Sequence, residues 1–206
     1  MDEAAIVTLA LRLLIPLLIL RFPLTGVLLS ALADVMDYSF MGGGANYQQL
    51  DKLLDTYYLS LAAITVLRWK DSLAKRIALG MYTWRVLGIL LVLFTDQRWL
   101  LMIFPNFFEP FFVFYLLYVY LSKNNKLFVS GWIIAAVTAT LLIPKLIQEY
   151  VLHIYQPAPD LAPAWITYLI EHFAWTAIPL YILPPLTILV VCVWRARTKR
   201  IARSPQ

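Results

Sequence analysis

Four aspartates lie within one short stretch of this chain, residues 33 to 55, which also contains three consecutive glycines. They are Asp34, Asp37, Asp51 and Asp55. Carboxylates that meet in partly dehydrated surroundings repel one another, so either some of them bind protons or a cation lies among them. Mg²⁺ and Ca²⁺ prefer oxygen ligands of this kind. The four aspartates are therefore candidate ligands of a divalent cation.

The spacing of these aspartates decides whether they can meet. Residues three or four apart share a face of a helix, so each pair, 34 with 37 and 51 with 55, points in one direction. If the two helices run antiparallel about the glycines, Asp34 lies level with Asp55, and Asp37 level with Asp51. The alternative is that Asp37 and Asp51 only flank a hydrated loop while Asp34 pairs with a neighbouring arginine.

Further polar residues interrupt the apolar runs of the chain. They are Arg12, Arg85, Asn106, Glu109, Lys145, Glu149, Glu171 and His172. An ionisable group in hydrocarbon costs about 2.5–3.5 kcal/mol on insertion scales, so each needs a partner or a function. We expect them to line a polar cavity that holds a cation, a small charged ligand or a lipid headgroup. The alternative is a set of inert ion pairs, Arg85 with Glu109 and Lys145 with Glu149.

Composition indicates the elements that position these side chains. Hydrophobic residues make up 62% of the 206 residues and charged residues 14%, whereas soluble domains have about 45–50% and 25%. The chain is predicted to be an all-α, polytopic membrane helix bundle that forms a single transmembrane domain over residues 1–206. Seven transmembrane helices are expected, at about 4–20, 23–40, 50–68, 76–95, 99–121, 127–153 and 164–194.

Lysine and arginine collect on one side of the predicted bundle. That side holds Arg21, Arg68, Lys70, Lys75, Arg76, Lys123, Lys126 and the basic tail at 195–206, whereas the opposite side holds only Lys52 and Arg98. The bias places the N-terminus outside, the tail in the cytoplasm and the aspartates on the external face of a plasma or bacterial inner membrane. Membrane lipids are the expected surroundings, and the basic residues form no continuous face for nucleic acid.

Prolines predict where the helices begin and break. Pro23 suits the first turn of a helix and predicts a tight hairpin between the first two spans. Pro105 and Pro110 bracket Asn106 and Glu109, so the fifth span is expected to open there and to free backbone carbonyls.

The first three predicted helices resemble the CDP-alcohol phosphatidyltransferases. The similar segments are TLALRLLIP, ALADVMDYSF and QLDKLLDTYYL, and they cover about 55 of the 206 residues. The resemblance implies divalent-metal binding by Asp34, Asp37, Asp51 and Asp55. The groups that serve the nucleotide in that family differ here, where Tyr38 replaces a glycine.

Three functions remain open on the sequence alone. The leading hypothesis is an outward-opening cavity that binds a cation or small charged ligand for transport or sensing. The second is a metal-dependent membrane enzyme that acts on a phosphorylated lipid, which is the activity that the resemblance implies. The third is a structural subunit of a membrane complex, in which the buried charges serve helix packing.

Overall fold

The computed structural model describes residues 3–41, 45–97, 99–127, 131–150 and 183–201. These residues form helices and turns, and no strand occurs among them, so the all-α prediction is confirmed. The helices are α1 (Glu3–Leu14), the 3-10 helix η1 (Ile15–Leu20), α2 (Pro23–Met41), α3 (Ala45–Val66), α4 (Ser72–Thr95), α5 (Leu100–Ile103), α6 (Phe108–Ser122), α7 (Gly131–Tyr150) and α8 (Leu183–Ile201). The chain divides into two compact units, Met1–Tyr82 and Thr83–Gln206.

Two helical stretches of the described residues are long and apolar enough to cross a membrane. They are Ser72–Thr95 and Leu100–Ser122. Shorter apolar segments occupy Ile6–Leu20, Pro23–Asp34 and Gly131–Ile147. Residues 151–182 lie outside the described residues. They include the end of the predicted sixth span and most of the predicted seventh span.

The first unit begins with a hairpin of α1, η1 and α2. The α-helix changes to 3-10 geometry at Ile15 because Pro16 has no backbone N–H to donate to the preceding turn. The turn at Arg21 and Phe22 closes on the carbonyl of Leu18, and α2 begins at Pro23 as predicted. α2 packs against both α1 and η1, and α3 packs against η1.

Gly26 lets the two arms of this hairpin approach closely. A Cβ atom built at Gly26 would lie 2.4 Å from the backbone nitrogen of Ile19, a contact that no side chain could make. Ile19 itself is fully buried, with Val27 beside the same junction. The hairpin therefore depends on a residue without a side chain at position 26.

α4 begins earlier than the predicted residue 76 because Asp71 caps it. One carboxylate oxygen of Asp71 accepts hydrogen bonds from the backbone N–H groups of Leu73 and Ala74, each at 3.1 Å. These are two of the donors that a helix leaves unpaired in its first turn. The first unit ends within α4, at Tyr82.

The predicted fifth span consists of two helices, α5 and α6, with residues 104–107 between them. Pro105 cannot donate a backbone hydrogen bond, which explains the break. α6 then supplies the core of the second unit, where Phe108, Phe111 and Phe112 are almost fully buried. α8 packs against α6 and α7, and α5 packs against α7.

Candidate functional site

Arg12 lies in the last turn of α1, and its guanidinium is bound by two carboxylates. Its Nη2 donates to Oδ1 of Asp34 on α2 at 2.5 Å and to Oδ1 of Asp55 on α3 at 2.9 Å. Both bonds join an ionised donor to an ionised acceptor, which makes them stronger than neutral hydrogen bonds. One side chain of α1 therefore connects three helices.

The approach of α1 and α3 has a local cause. The change to 3-10 geometry after Leu14 alters the bonding of the carbonyls in the preceding turn of α1. The hydroxyl of Tyr57 donates to the carbonyl oxygen of Leu13 at 3.0 Å. Because Asp55 lies two residues before Tyr57, this contact brings that part of α3 against the end of α1, where Arg12 is located.

The cluster of Arg12, Asp34 and Asp55 carries more negative than positive charge. The side chain of Arg12 is only 3% exposed, whereas those of Asp34 and Asp55 are 38% and 20% exposed. The cation is thus buried, and the carboxylates are partly exposed on the surface of the described structure. With all three groups ionised the cluster has a net charge of −1, and a positively charged species is attracted to its accessible side.

The prediction that Asp34 and Asp55 lie at one height is confirmed, since both bind the same nitrogen of Arg12. The side chains of Asp37 and Asp51 lie outside the described residues, although the helical backbone extends through both positions. Among the side chains that are described, no group of three or more potential metal ligands occurs. Metal binding by the four aspartates stays a prediction.

A second polar group lies in the other unit, where Arg85 of α4 contacts the break between α5 and α6. Its Nη1 donates to the carbonyl oxygen of Phe104 at 3.0 Å, and Nε1 of Trp84 donates to that of Ile103 at 3.1 Å. The break frees these carbonyls from their helical partners, as the prolines predicted. Side chains of α4 replace the missing donors.

Asn106 and Glu109 bond to each other rather than to Arg85. The backbone N–H of Glu109 donates to Oδ1 of Asn106 at 3.3 Å, and Nδ2 of Asn106 donates to Oε2 of Glu109 at 2.9 Å. The pair has the three-residue spacing of a capping box, but it starts one residue before the N-cap Phe107, and the donor to Glu109 is a side-chain amide. The predicted ion pair between Arg85 and Glu109 is therefore wrong, because Arg85 uses a backbone carbonyl and Glu109 the amide of Asn106.

No known protein family, curated protein or solved structure matches this chain. The resemblance of the first three helices to the CDP-alcohol phosphatidyltransferases accordingly stays a prediction.

The remaining predicted cavity residues are only partly described. Lys145 is half-buried in α7, directly after Pro144. The side chain of Glu149 and the whole of Glu171 and His172 lie outside the described residues.

Sequence reasoning missed the roles of Asp71 and Tyr57, and the bond between the predicted residues Asn106 and Glu109. Asp71 had a recognisable signal, an aspartate just before an apolar helix. The Asn106-x-x-Glu109 pattern likewise matches the capping-box spacing. Tyr57 had no such signal, because its bond to Leu13 depends on how α3 packs against the junction of α1 and η1.

Proposed function

We propose that this chain is a multi-pass membrane protein that binds a cation or a small cationic ligand, for transport or sensing. The ligand binds at the acidic hairpin, by which we mean α2 and α3 with Asp34, Asp37, Asp51 and Asp55. The proposal includes seven spans, an external N-terminus and a cytoplasmic tail, in a plasma or bacterial inner membrane. The two helical stretches that are long and apolar enough to cross a membrane support it, together with the shorter apolar helices and the distribution of lysine and arginine.

The observation that carries the proposal is the excess of carboxylate around Arg12. Asp34 and Asp55 share a single guanidinium and remain accessible. Asp37 lies one turn beyond Asp34 on α2, and Asp51 one turn before Asp55 on α3, so up to two further negative charges belong to the same hairpin. In this proposal Arg12 fixes Asp34 and Asp55, and the ligand binds where Asp37 and Asp51 add their charge.

Ion flux tests this function. The full chain is reconstituted into liposomes, and entry of Ca²⁺, Mg²⁺ and Na⁺ is followed with enclosed indicator dyes. We expect flux of at least one of these ions, and we expect Asp51→Asn to abolish it because a ligand charge is lost. Asp96→Asn is the matched control, since Asp96 is exposed at the end of α4 and lies far along the chain from the hairpin.

A sensor would bind the ion without transporting it, so binding is measured separately by calorimetry in detergent. Ion binding without flux, lost in Asp51→Asn and kept in Asp96→Asn, supports sensing. Neither binding nor flux of any of the three ions would contradict the cation proposal.

The four-aspartate spacing favours a second candidate, a metal-dependent enzyme that acts on a phosphorylated lipid. Metal held by the aspartates would polarise the phosphoryl group, and a nearby cation would neutralise the charge that develops. Liposomes that contain a CDP-activated lipid, an acceptor alcohol and Mg²⁺ would then release CMP, and Asp51→Asn would stop the release. If neither assay gives a signal, the role as a structural subunit is the one that remains.

A further inference from the structure

Arg85 is a buried cation whose hydrogen-bond donors are only partly satisfied. The residue is 6% exposed, and its Nε has no hydrogen-bond partner among the described residues. A buried donor without an acceptor costs about 1–3 kcal/mol, and more when the group is charged. Such a group needs an explanation, either as a structural compromise or as half of an interaction with a ligand.

One hydrogen bond fixes the guanidinium, and two packing features hold α4 close to Phe104. Nη1 of Arg85 donates to the carbonyl of Phe104, and the ring of Trp84 packs on that of Phe104 with centroids 4.5 Å apart. Gly88 lies one turn further along α4, and a Cβ there would overlap the Cβ of Phe104. Arg85 is therefore held against the break that precedes α6.

The free edge of the guanidinium is the one that recognises carboxylates. Nη1 lies on the side of Cδ, so Nε and Nη2 together form the opposite edge, with two parallel N–H groups. In the described structure Nη1 makes the only hydrogen bond that Arg85 has. Two parallel donors match the two oxygens of a carboxylate, which they bind in a bidentate manner.

The start of α6 adds a second attraction for an anion. α6 begins at Phe108, immediately after the break; its N-cap residue Phe107 makes no side-chain capping bond, and Asn106 accepts the N–H of Glu109 in the first turn. A helix N-terminus carries a partial positive charge, and in broken membrane helices such an end binds the carboxylate of a substrate. Arg85 and this helix end both lie at the segment 104–107.

We propose that Arg85 and the N-terminus of α6 form a binding site for a carboxylate group. Depth favours a carboxylate over a lipid phosphate, since Arg85 lies about 15 Å along α4 from its end at Thr95. The carboxylate belongs either to a small soluble acid or to a fatty acid. The site is independent of the aspartates, so its failure leaves the proposed cation function untouched.

Glu109 opposes this ligand and supplies a test of the proposal. It lies in the first turn of α6, where its carboxylate accepts a bond from Asn106. Replacing it by glutamine removes a competing negative charge from the helix end and keeps the acceptor for Asn106. Glu109→Gln should therefore tighten carboxylate binding by about fivefold.

The experiment observes the Arg85 Nε–H group directly. The full chain, labelled with ¹⁵N-arginine, is placed in lipid nanodiscs, and its arginine Nε–H signals are recorded by NMR. The Arg85 signal is assigned from its loss in Arg85→Lys or, if that variant does not fold, from its shift in Trp84→Phe. The probes are sodium acetate, sodium chloride at equal ionic strength, and oleate added to the nanodiscs.

We expect a saturable downfield shift of the Arg85 signal with acetate but not with chloride, and tighter binding in Glu109→Gln. A shift with oleate alone supports the same site and identifies a fatty acid as the source of the carboxylate. A response to chloride equal to that of acetate indicates an adventitious ion only and overturns the proposal. The absence of a saturable shift with either acid also overturns it.

Discussion

Removing the two carboxylates around Arg12 should destabilise the protein by more than the sum of the single changes. In Asp34→Ala or Asp55→Ala alone, Arg12 keeps the other carboxylate. A hydrogen bond to a charged group contributes about 1.5–3 kcal/mol. Because the aspartate side chains are 38% and 20% exposed, solvent screens them, and we expect a loss of about 1 kcal/mol for each single variant.

The double variant differs because it removes both of the carboxylates that are described at the guanidinium. The Arg12 side chain is 3% exposed, so water does not replace the lost partners. Stranding a buried charge costs about 3–5 kcal/mol. The double variant should therefore lose about 1–3 kcal/mol more than the two single variants together.

The free energy of unfolding is measured by titrating SDS into mixed micelles and following the helical circular dichroism signal. Adding Arg12→Met to the double variant is the control, because it removes the stranded cation and should recover most of the lost stability. Losses that add within about 0.5 kcal/mol would refute the shared-arginine argument. So would a triple variant that is no more stable than the double.

Three further variants test the contacts that position these groups, each by its change in unfolding free energy. Gly88→Ala should destabilise by about 1–3 kcal/mol, since the added Cβ would overlap Phe104; the matched change Gly80→Ala, where nothing lies within 4 Å, should stabilise by about 0.5–1 kcal/mol. Equal effects of the two changes would contradict the close approach at residue 88. Asp71→Ala should cost about 1 kcal/mol and Asp71→Asn much less, because asparagine also caps helices; similar losses would show that the cap contributes little. Tyr57→Phe should cost about 0.5–1.5 kcal/mol through its lost bond to Leu13, and an unchanged stability would mean that water satisfies that carbonyl equally well.

Periodicity and helix-terminus signals predicted the helical class and several boundaries. Pro23 predicted the start of α2, and Pro105 predicted the opening of the fifth span. The predicted start of the fourth span, residue 76, is late because Lys70 and Lys75 indicate a loop. Asp71 between them is the N-cap, and the lysines on either side obscured that signal.

The aspartate cluster shows where sequence reasoning ends. Counting residues along two antiparallel helices predicted that Asp34 and Asp55 lie at the same height along the helix axes. This height depends only on the rise per residue. Counting could not predict that both face Arg12, since the direction of a side chain around the helix axis depends on how the helices pack. Asp34 pairs with an arginine, as one part of the alternative predicted, and Asp55 binds the same arginine. The other part, in which Asp37 and Asp51 only flank a loop, stays a prediction.

Two prolines in this chain interrupt helices and leave backbone carbonyls without their helical donors. Polar side chains of other helices donate to these carbonyls instead. At Pro16 the helix changes to 3-10 geometry, and Tyr57 donates to the carbonyl of Leu13. At Pro105 the helix breaks, and Trp84 and Arg85 donate to the freed carbonyls. A polar residue in an apolar chain therefore has two distinct uses: to satisfy backbone groups at a break, or to carry charge for a ligand.

Arg12 and Arg85 differ in which of these two uses they serve. The two bonds described for Arg12 go to carboxylates on other helices and not to a backbone carbonyl. Arg85 satisfies the backbone with one nitrogen and keeps its carboxylate-binding edge without a partner in the described structure. If backbone satisfaction were its only use, a neutral donor such as glutamine would serve equally well and avoid the cost of a buried charge. The positive charge at residue 85 is thus the feature that a purely structural account leaves unexplained.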